Sequence, residues 1–137
     1  MSEIERVNRL LREGKRLGGA IEVDGEAVGS CRLAHIEPQM TGDLGYRIFA
    51  EYRGKGIVTD CCRSLIDVAF RYLNLQEVTI SASSVNARSR AMAERLGFEH
   101  VETFKDGMER TGKVTDAAKY RVTRDVWSKR SAWPASP

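Results

Sequence analysis

The sequence predicts a mixed α/β (α+β) domain with a mostly antiparallel sheet and flanking helices. Asp24 and Gly25 form a two-residue turn signal between two runs of strand-forming residues, which predicts an early hairpin. A second hairpin is predicted near the C-terminus, and both Asp106-Gly107 and Thr111-Gly112 qualify as its turn. Between the hairpins, a strand, a helix and a strand follow one another within about 40 residues, and this succession implies a right-handed crossover between parallel neighbours.

Each element has a local signal in the sequence. Ser2 and Glu5 make a capping box ahead of the first helix. The second helix has an apolar face made of residues three and four apart: Ile57, Cys61, Leu65, Val68, Ala69 and Tyr72. Alternation of apolar and polar residues from Val78 predicts a strand, and Gly97 closes a short helix. The predicted elements are a helix over 3–14, strands over 20–23, 27–36 and 44–49, a helix from Ile57, a strand over 78–84, a helix over 87–96, and strands over 98–109 and 114–122.

Length and composition indicate a single globular domain. A chain of 137 residues fits one hydrophobic core, so we expect one domain over residues 1–128 and a loose tail over 129–137. No apolar run approaches the roughly 18 residues of a membrane span, so no membrane partner is expected. The N-terminus has no positively charged start followed by an apolar block, which predicts a cytoplasmic protein.

Charge, cysteine and histidine content narrow the function classes. The net charge is +3, with the basic residues dispersed among 19 acids. The sequence has no basic stripe with aromatic platforms, so no nucleic-acid partner is expected. Cys31, Cys61 and Cys62 lack metal-ligand spacing and are interpreted as core or helix-surface residues. His35 and His100 stand apart from each other, so no metal site is predicted.

The main functional pattern is the stretch Glu-Tyr-Arg-Gly-Lys-Gly-Ile-Val-Thr at residues 51–59, between a predicted strand and a predicted helix. Gly54 and Gly56 carry no Cβ, so they allow a tight turn and the close approach of a ligand. Arg53 and Lys55 make the turn cationic. Because a helix N-terminus offers oriented amide donors and a partial positive charge, this pattern predicts a pyrophosphate site. A plain strand-to-helix turn is the alternative interpretation.

This turn resembles the acyl-CoA loop of the GNAT N-acetyltransferases. The family pattern Arg/Gln-x-x-Gly-x-Gly/Ala falls on Arg53, Gly56 and Val58. Val58 departs from the small residue usual at its position. The resemblance implies that backbone amides bind the ligand, so a larger side chain that points away from the ligand is tolerated at this position.

A second pair of motifs supports the same resemblance. Asn86-x-x-Ser89 is followed by Arg-Leu-Gly-Phe at 95–98, in the order and at the distance found in the ribosomal-protein (serine/alanine) N-acetyltransferase branch of the family. Leu-Gly-Tyr at 44–46 is similar to the strand that precedes the loop in that branch. The resemblance covers about residues 19–127, most of the chain.

The resemblance implies how the fold binds its cosubstrate, acetyl-CoA. One parallel strand pair would splay apart, and the pantetheine arm of acetyl-CoA would enter the gap. The family's first strand and helix are missing from the pattern, and a shortened form, a partner that covers the sheet or a rearranged N-terminus are the alternatives. A strand over 20–23 would then be a sheet edge, and a homodimer or higher oligomer is expected. The residues implied to bind acetyl-CoA are Ile48, Phe49, Arg53, Gly54, Lys55, Gly56, Ile57, Val58, Thr59 and Asn86.

The resemblance also implies candidates for the chemistry. Ser89 would protonate the departing thiolate, although a serine that caps or packs the first helical turn is the alternative. The glutamate that often serves as base in this branch corresponds to Met108, and Glu109 is one residue away, on the opposite face unless a bulge near Gly107 corrects it. Asp43 is the other candidate base, acting through a water. Either carboxylate could instead be a solvated surface charge.

Two functions therefore follow from the sequence. The first is acetyl transfer from acetyl-CoA to a primary amine, with a protein N-terminus, as in ribosomal-protein acetylation, among the acceptors. The second is a non-catalytic acyl-CoA-binding or sensing module of the same fold, which Met108 at the expected base position favours.

Overall fold

A computed structural model describes residues 17–37 and 39–130, which form a six-stranded sheet with flanking helices. The predicted helix over 3–14 and the end of the expected tail, 131–137, lie outside the described residues. The elements are β1 (Leu17–Val23), β2 (Glu26–Glu37), β3 (Thr41–Ile48), a 3-10 turn (Ala50–Tyr52), α1 (Ile57–Arg71), β4 (Glu77–Ser83), α2 (Ala87–Arg95), β5 (Glu99–Arg110), β6 (Lys113–Thr123) and α3 (Arg124–Arg130).

The strands lie in the order β1-β2-β3-β4-β6-β5. Neighbouring strands are antiparallel except β3 and β4, which run parallel and are joined through α1. The predicted mixed, mostly antiparallel sheet with one parallel pair is therefore confirmed.

The parallel pair is joined over a short segment only. Residues 41–43 of β3 pair with residues 77–79 of β4. Beyond this segment β3 stays paired with β2 as far as Ile48, whereas β4 stays paired with β6 as far as Ser83. The two strands therefore separate toward their carboxyl ends and leave a gap between them, as the resemblance implied.

Helix α1 packs on the sheet with a face that differs in part from the predicted one. Its buried side chains are Thr59, Cys62, Ile66, Val68, Ala69 and Phe70. Of the residues predicted to share the apolar face, Cys61 and Leu65 are half-buried and Tyr72 is 50% exposed. Apolar residues surround much of α1, so spacing alone does not fix its orientation. Tertiary contacts fix the orientation of α1, as at Cys62, whose sulfur lies 3.5 Å from that of Cys31 on β2.

The closing hairpin uses both of its predicted turn signals. Thr111 and Gly112 form the tip between β5 and β6, with φ of 51° and 78°. Asp106 and Gly107 lie in a bulge of β5, where the pairing with β6 shifts. The backbone N–H of Asp106 donates to the Asp116 carboxylate at 2.9 Å and holds this bulge in place.

A short helix, α3, follows β6 and was not predicted. The Trp127 side chain is buried, and its indole N–H donates to the carboxylate of Asp67 on α1 at 2.7 Å. Lys129 donates to Asp125 at 3.2 Å, one turn back along α3. The helix thus extends over the first two residues of the segment expected to be a loose tail.

Candidate functional site

A cavity of about 1710 Å³ opens where β3 and β4 separate. Its walls are the end of β3, the glycine turn that follows, the first turns of α1 and α2, and the tip of the β5–β6 hairpin. Pockets for a single small molecule typically enclose roughly 300–1,000 Å³. This cavity therefore has room for a large ligand together with part of a second one.

Most of the predicted site residues line this cavity. Those that do are Ile48, Phe49, Arg53, Gly54, Gly56, Ile57, Val58, Thr59, Asn86 and Ser89. Lys55 is not part of the lining, and its ammonium group lies over the ring of Tyr52, 5.5 Å from the ring centre. The two candidate bases, Asp43 and Glu109, do not line the cavity either.

The two glycines of the turn are required by backbone conformation. Gly54 and Gly56 have φ of 77° and 76°, in the left-handed region that favours glycine. No atom lies within 4 Å of a Cβ built on either residue. Space is therefore open beside the turn, and a ligand can approach its backbone closely.

The start of α1 is open to the cavity. Gly56 is its N-cap and has no side chain to accept from the helix, and the N–H of Asp60 donates to the Gly56 carbonyl at 3.0 Å. The preceding N–H groups of residues 57–59 have no carbonyl partner within the helix. These groups lie in the cavity wall, so they and the helix dipole suit a bound anion.

The start of α2 is closed by its own side chain. Asn86 is the N-cap, and its side-chain oxygen accepts from the backbone N–H of Ser89 at 3.1 Å. The carbonyl of Ser89 accepts from the hydroxyl of Tyr46 on β3 at 3.4 Å, a contact across the gap. Burial raises the pKa of Tyr46, so this hydroxyl keeps its proton at neutral pH. Ser89 is thus not the capping side chain, and within the described residues its hydroxyl has no protein partner.

Arg90 fixes α2 to the sheet. Its Nε donates to the hydroxyl of Tyr120 on β6 at 2.9 Å, and its Nη1 donates to the carbonyl of Ser84 at 3.1 Å. Tyr120 is fully buried. Sequence reasoning did not identify Arg90, because its partner lies 30 residues away along the chain and no local pattern joins the two.

Asp43 lies where the gap begins. It is the last residue of β3 that pairs with β4, and its carboxylate accepts a hydrogen bond from the hydroxyl of Thr79 on the neighbouring strand. The carboxylate therefore helps to join β3 to β4 at the end of their paired segment, and it is not part of the cavity lining.

Met108, and not Glu109, faces the cavity. A bulge near Gly107, which the sequence left open as a way to turn Glu109 inward, does occur between the pairs Phe104–Ala117 and Met108–Thr115. Three residues of β5 lie opposite one of β6 there, so the bulge adds two residues. An even addition leaves the alternation of faces unchanged, and Glu109 consequently remains exposed on the other face.

The charged side chains of the cavity are all basic. They are Arg47, Arg53, Arg88, Arg95, Arg110 and Lys113. No aspartate or glutamate within the described ranges lines the cavity. Low-dielectric walls that carry charges of one sign focus the field between them, so the cavity attracts anions.

Residues 17–37 and 39–130 contain neither a metal-binding cluster nor a helix that could span a membrane. No group of three or more His, Cys, Asp or Glu side chains there is arranged to hold a metal ion. None of the helices in that part of the chain has the length and apolar character needed to cross a membrane.

Comparison with known sequences connects the chain to a large family. The family model described as an acetyltransferase (GNAT) domain matches residues 2–99. YdaF of Bacillus subtilis (strain 168), a protein provisionally named a ribosomal N-acetyltransferase, is 36% identical over 105 residues. The match covers 76% of this chain and 57% of YdaF, so the chain spans little more than half the length of this relative.

Solved structures share the fold. One protein, provisionally described as an acetyltransferase, matches with a TM-score of 0.80 at 32% identity, over 88% of this chain and 68% of its own. RimJ of Mycobacterium smegmatis, in complex with CoA-disulfide, matches with a TM-score of 0.75 at 25% identity, over 94% of this chain and 60% of its own. The mixed sheet is therefore shared with both proteins.

Proposed function

Because this chain belongs to the GNAT acetyltransferase family, we propose that it is an acetyl-CoA-dependent N-acetyltransferase that acts on a primary amine. The observation that carries the proposal is the pair of helix starts at the gap between β3 and β4. The start of α1 is open and glycine-flanked, which suits a pyrophosphate. The start of α2 presents the hydroxyl of Ser89 to the same cavity.

The cosubstrate is proposed to enter along the splayed strands. Among the described strands, none pairs with the main-chain groups of β3 and β4 that face the gap, so these groups can pair with the amides of the pantetheine arm. Arg53 adds positive charge beside the pyrophosphate. The oxygen of Asn86 already accepts from the helix, so its side-chain NH₂ group is the part proposed to bind the arm. That M. smegmatis RimJ was solved with CoA-disulfide supports a coenzyme A ligand for this fold.

In the proposed reaction, the nitrogen of a neutral amine attacks the thioester carbonyl carbon and forms the new C–N bond. The C–S bond then breaks, the nitrogen loses a proton, and the leaving thiolate gains one. The products are an N-acetylated amine and free coenzyme A. Ser89 is the proposed proton donor to the thiolate, because its hydroxyl has no competing protein partner within the described residues.

Deprotonation of the amine is proposed to depend on the charge of the cavity. No carboxylate of the described residues lines it, and Met108 lies where the base was expected. Nearby positive charges disfavour an ammonium ion and lower its pKa. The basic lining therefore increases the neutral fraction of a bound amine without a dedicated base.

Calorimetry and a turnover assay test the proposed function together. We expect saturable binding of acetyl-CoA at one site, and release of free thiol that requires an added amine. Absence of acetyl-CoA binding to the folded protein would exclude the proposed function. A parallel measurement with dephospho-CoA and pantetheine tests how much of the affinity comes from the phosphate groups.

A non-catalytic acyl-CoA-binding module is the second candidate. Met108 in the cavity favours it, since a methionine thioether cannot serve as a base. The two functions differ in one result. The module binds acetyl-CoA but releases no thiol with any amine, whereas the enzyme does both.

A homodimer is also proposed. Within the described residues β1 forms one edge of the sheet, and exposed strand edges are usually covered or paired. Sedimentation at high micromolar concentration tests this proposal, and a monomer there would exclude it.

A further inference from the structure

The basic side chains of the cavity come from three parts of its wall: the end of β3 with the glycine turn, helix α2, and the β5–β6 hairpin. Arg53 belongs to the glycine turn after β3, and Arg88 and Arg95 belong to α2. Arg110 and Lys113 flank the tip of the β5–β6 hairpin. β4 and β6 lie between β3 and β5, and paired strands are about 4.8 Å apart, so β5 lies at least roughly 14 Å from β3 and farther where β3 and β4 separate. The hairpin cations therefore lie across the cavity from the strand that leads into the glycine turn.

The positions of the two hairpin cations conflict with a local rule of sheet stability. Arg110 and Lys113 pair directly across β5 and β6, and like charges in that position repel each other. Neither forms an ion pair with another residue of the described part of the chain. Glu109 lies on the opposite face of β5, and the carboxylate of Asp116 is used by the bulge. An anion bound between the two cations would remove the repulsion, and such local conflicts are expected at functional sites.

The missing base favours one kind of amine. Met108 precedes Arg110 by two residues and lines the same cavity, so the reacting amine next to it has no carboxylate to deprotonate it. The α-amine of a peptide has a pKa near 7.7–8.0, so roughly 9–17% of it is neutral at pH 7. A lysine side chain, with a pKa near 10.4, is neutral to only about 0.04%.

We infer that the amine acceptor is the N-terminus of a peptide or protein whose first residues are acidic. Arg110 and Lys113 hold these acidic residues, across the cavity from the glycine turn where acetyl-CoA is proposed to bind. This inference rests on the proposed acetyl transfer. The α-amine attacks the thioester as described above, and the acidic side chains that follow it pair with the hairpin cations. A polycationic acceptor would instead meet repulsion from every charged group of the cavity lining.

Three synthetic peptides with the same N-terminal alanine test the inference. They begin Ala-Glu-Glu, Ala-Gln-Gln and Ala-Lys-Lys, continue with one neutral sequence and end in an amide. Release of free thiol at saturating acetyl-CoA gives kcat/KM for each peptide. We expect the acidic peptide to exceed the neutral one by roughly tenfold and the basic one by more, with the differences narrowing as salt is raised.

Variants of the hairpin test the residues themselves. The double variant Arg110→Gln with Lys113→Gln should bring kcat/KM for the acidic peptide to within about twofold of the neutral peptide. Its affinity for acetyl-CoA should stay within about twofold of wild type. Lys105→Gln is the matched control, because Lys105 is an exposed cation of β5 outside the cavity. This control should keep the wild-type preference.

The outcomes separate this inference from the proposed function. A preference for the basic peptide, or an unchanged preference in the double variant, would overturn the inference while acetyl transfer stands. Binding of acetyl-CoA without turnover of any peptide would overturn it as well, and other amines would then be screened for the proposed function. Failure of wild-type protein to bind acetyl-CoA would exclude the proposed function itself.

Discussion

The two helix starts at the cavity differ in what their unpaired backbone N–H groups can bind. At α1 the N-cap is Gly56, in a left-handed conformation, and no side chain accepts from the first turn. At α2 the N-cap is Asn86, whose side chain accepts from Ser89. One helix start keeps its N–H groups available for a ligand, and the other uses its cap to fix a candidate catalytic side chain.

The packing of each helix explains why the difference is tolerated. A glycine N-cap is only about a few tenths of a kcal/mol less favourable than a side-chain N-cap, so α1 loses little by having Gly56 there. α1 has 15 residues and buries six side chains, so tertiary packing provides most of its stability. α2 has nine residues and buries only Met92 and Ala93. It therefore depends on its cap and on the hydrogen bond from Arg90 to Tyr120.

The largest effect is expected from a negative charge at the open helix start. Gly56→Glu puts a carboxylate where the pyrophosphate is proposed to bind, and we expect the affinity for acetyl-CoA to fall by roughly 100-fold or more. Calorimetry on the folded variant measures this.

Gly25→Glu is the matched control for that experiment. Gly25 also has a positive φ, 83°, and no atom within 4 Å of a Cβ, but it lies in the β1–β2 turn outside the cavity. Both variants therefore carry similar backbone strain. Equal loss of affinity in both would show that strain, and not the phosphate site, causes the effect.

The second largest effect is expected at the capped helix start. Ser89→Ala should lower kcat by roughly 10²-fold if the hydroxyl protonates the leaving thiolate, with little change in acetyl-CoA affinity. Because Asn86 is the cap, the melting temperature should stay nearly unchanged. Ser64→Ala, at an exposed position of α1 outside the cavity, is the control for loss of a hydroxyl. Wild-type turnover in Ser89→Ala would leave water as the proton donor.

Local patterns predicted the parts of the site that local geometry determines. The two glycines before Ile57 and the spacing after it marked the turn and the start of α1, which begins at Ile57. Asn86 was identified as a site residue at the start of the short helix, but its role as N-cap was not predicted. The sequence does not show whether the Asn86 side chain binds a ligand or the first turn of its own helix, because both roles need the same polar group.

Contacts between distant segments decided the features that sequence reasoning missed. The orientation of α1 depends on packing such as that of Cys62 on Cys31. The side of the sheet on which Met108 lies depends on how many residues the β5 bulge adds. Two turn signals close together in the sequence do not specify that number. The charge at the hairpin tip went unnoticed because Arg110 and Lys113 flank an ordinary turn, and only the folded sheet brings them to the cavity.

A smaller effect, on stability, is expected when the cap of α2 is removed. Asn86→Ala should lower the free energy of unfolding by about 1 kcal/mol, which corresponds to a fall of about 3–6 °C in melting temperature. Asn86→Asp keeps an accepting oxygen and should retain most of the stability. Thermal melts without acetyl-CoA measure the cap alone. Equal destabilisation by both variants would show that the side chain stabilises the protein through a different contact.

The smallest effect is expected for the contact between the two walls of the gap. The hydroxyl of Tyr46 donates to the Ser89 carbonyl at 3.4 Å, a long hydrogen bond, so Tyr46→Phe should change the free energy of unfolding by less than about 0.5 kcal/mol at pH 7. Denaturant titration of both proteins measures this. A loss well above that range would show that the contact is an important tie between β3 and α2.

The same variant should show its effect in the pH dependence. Burial raises the pKa of Tyr46 above 10.0, so above that pH the unfolded chain loses this proton before the folded protein does. The contribution of the neutral hydroxyl is therefore complete below pH 10 and declines as the pH rises past the unfolded-state value. Stability measured between pH 8 and 11 should fall less steeply in Tyr46→Phe than in the wild type. Parallel curves would mean that the hydroxyl titrates alike in both states, and that the wall of β3 next to Ser89 admits water.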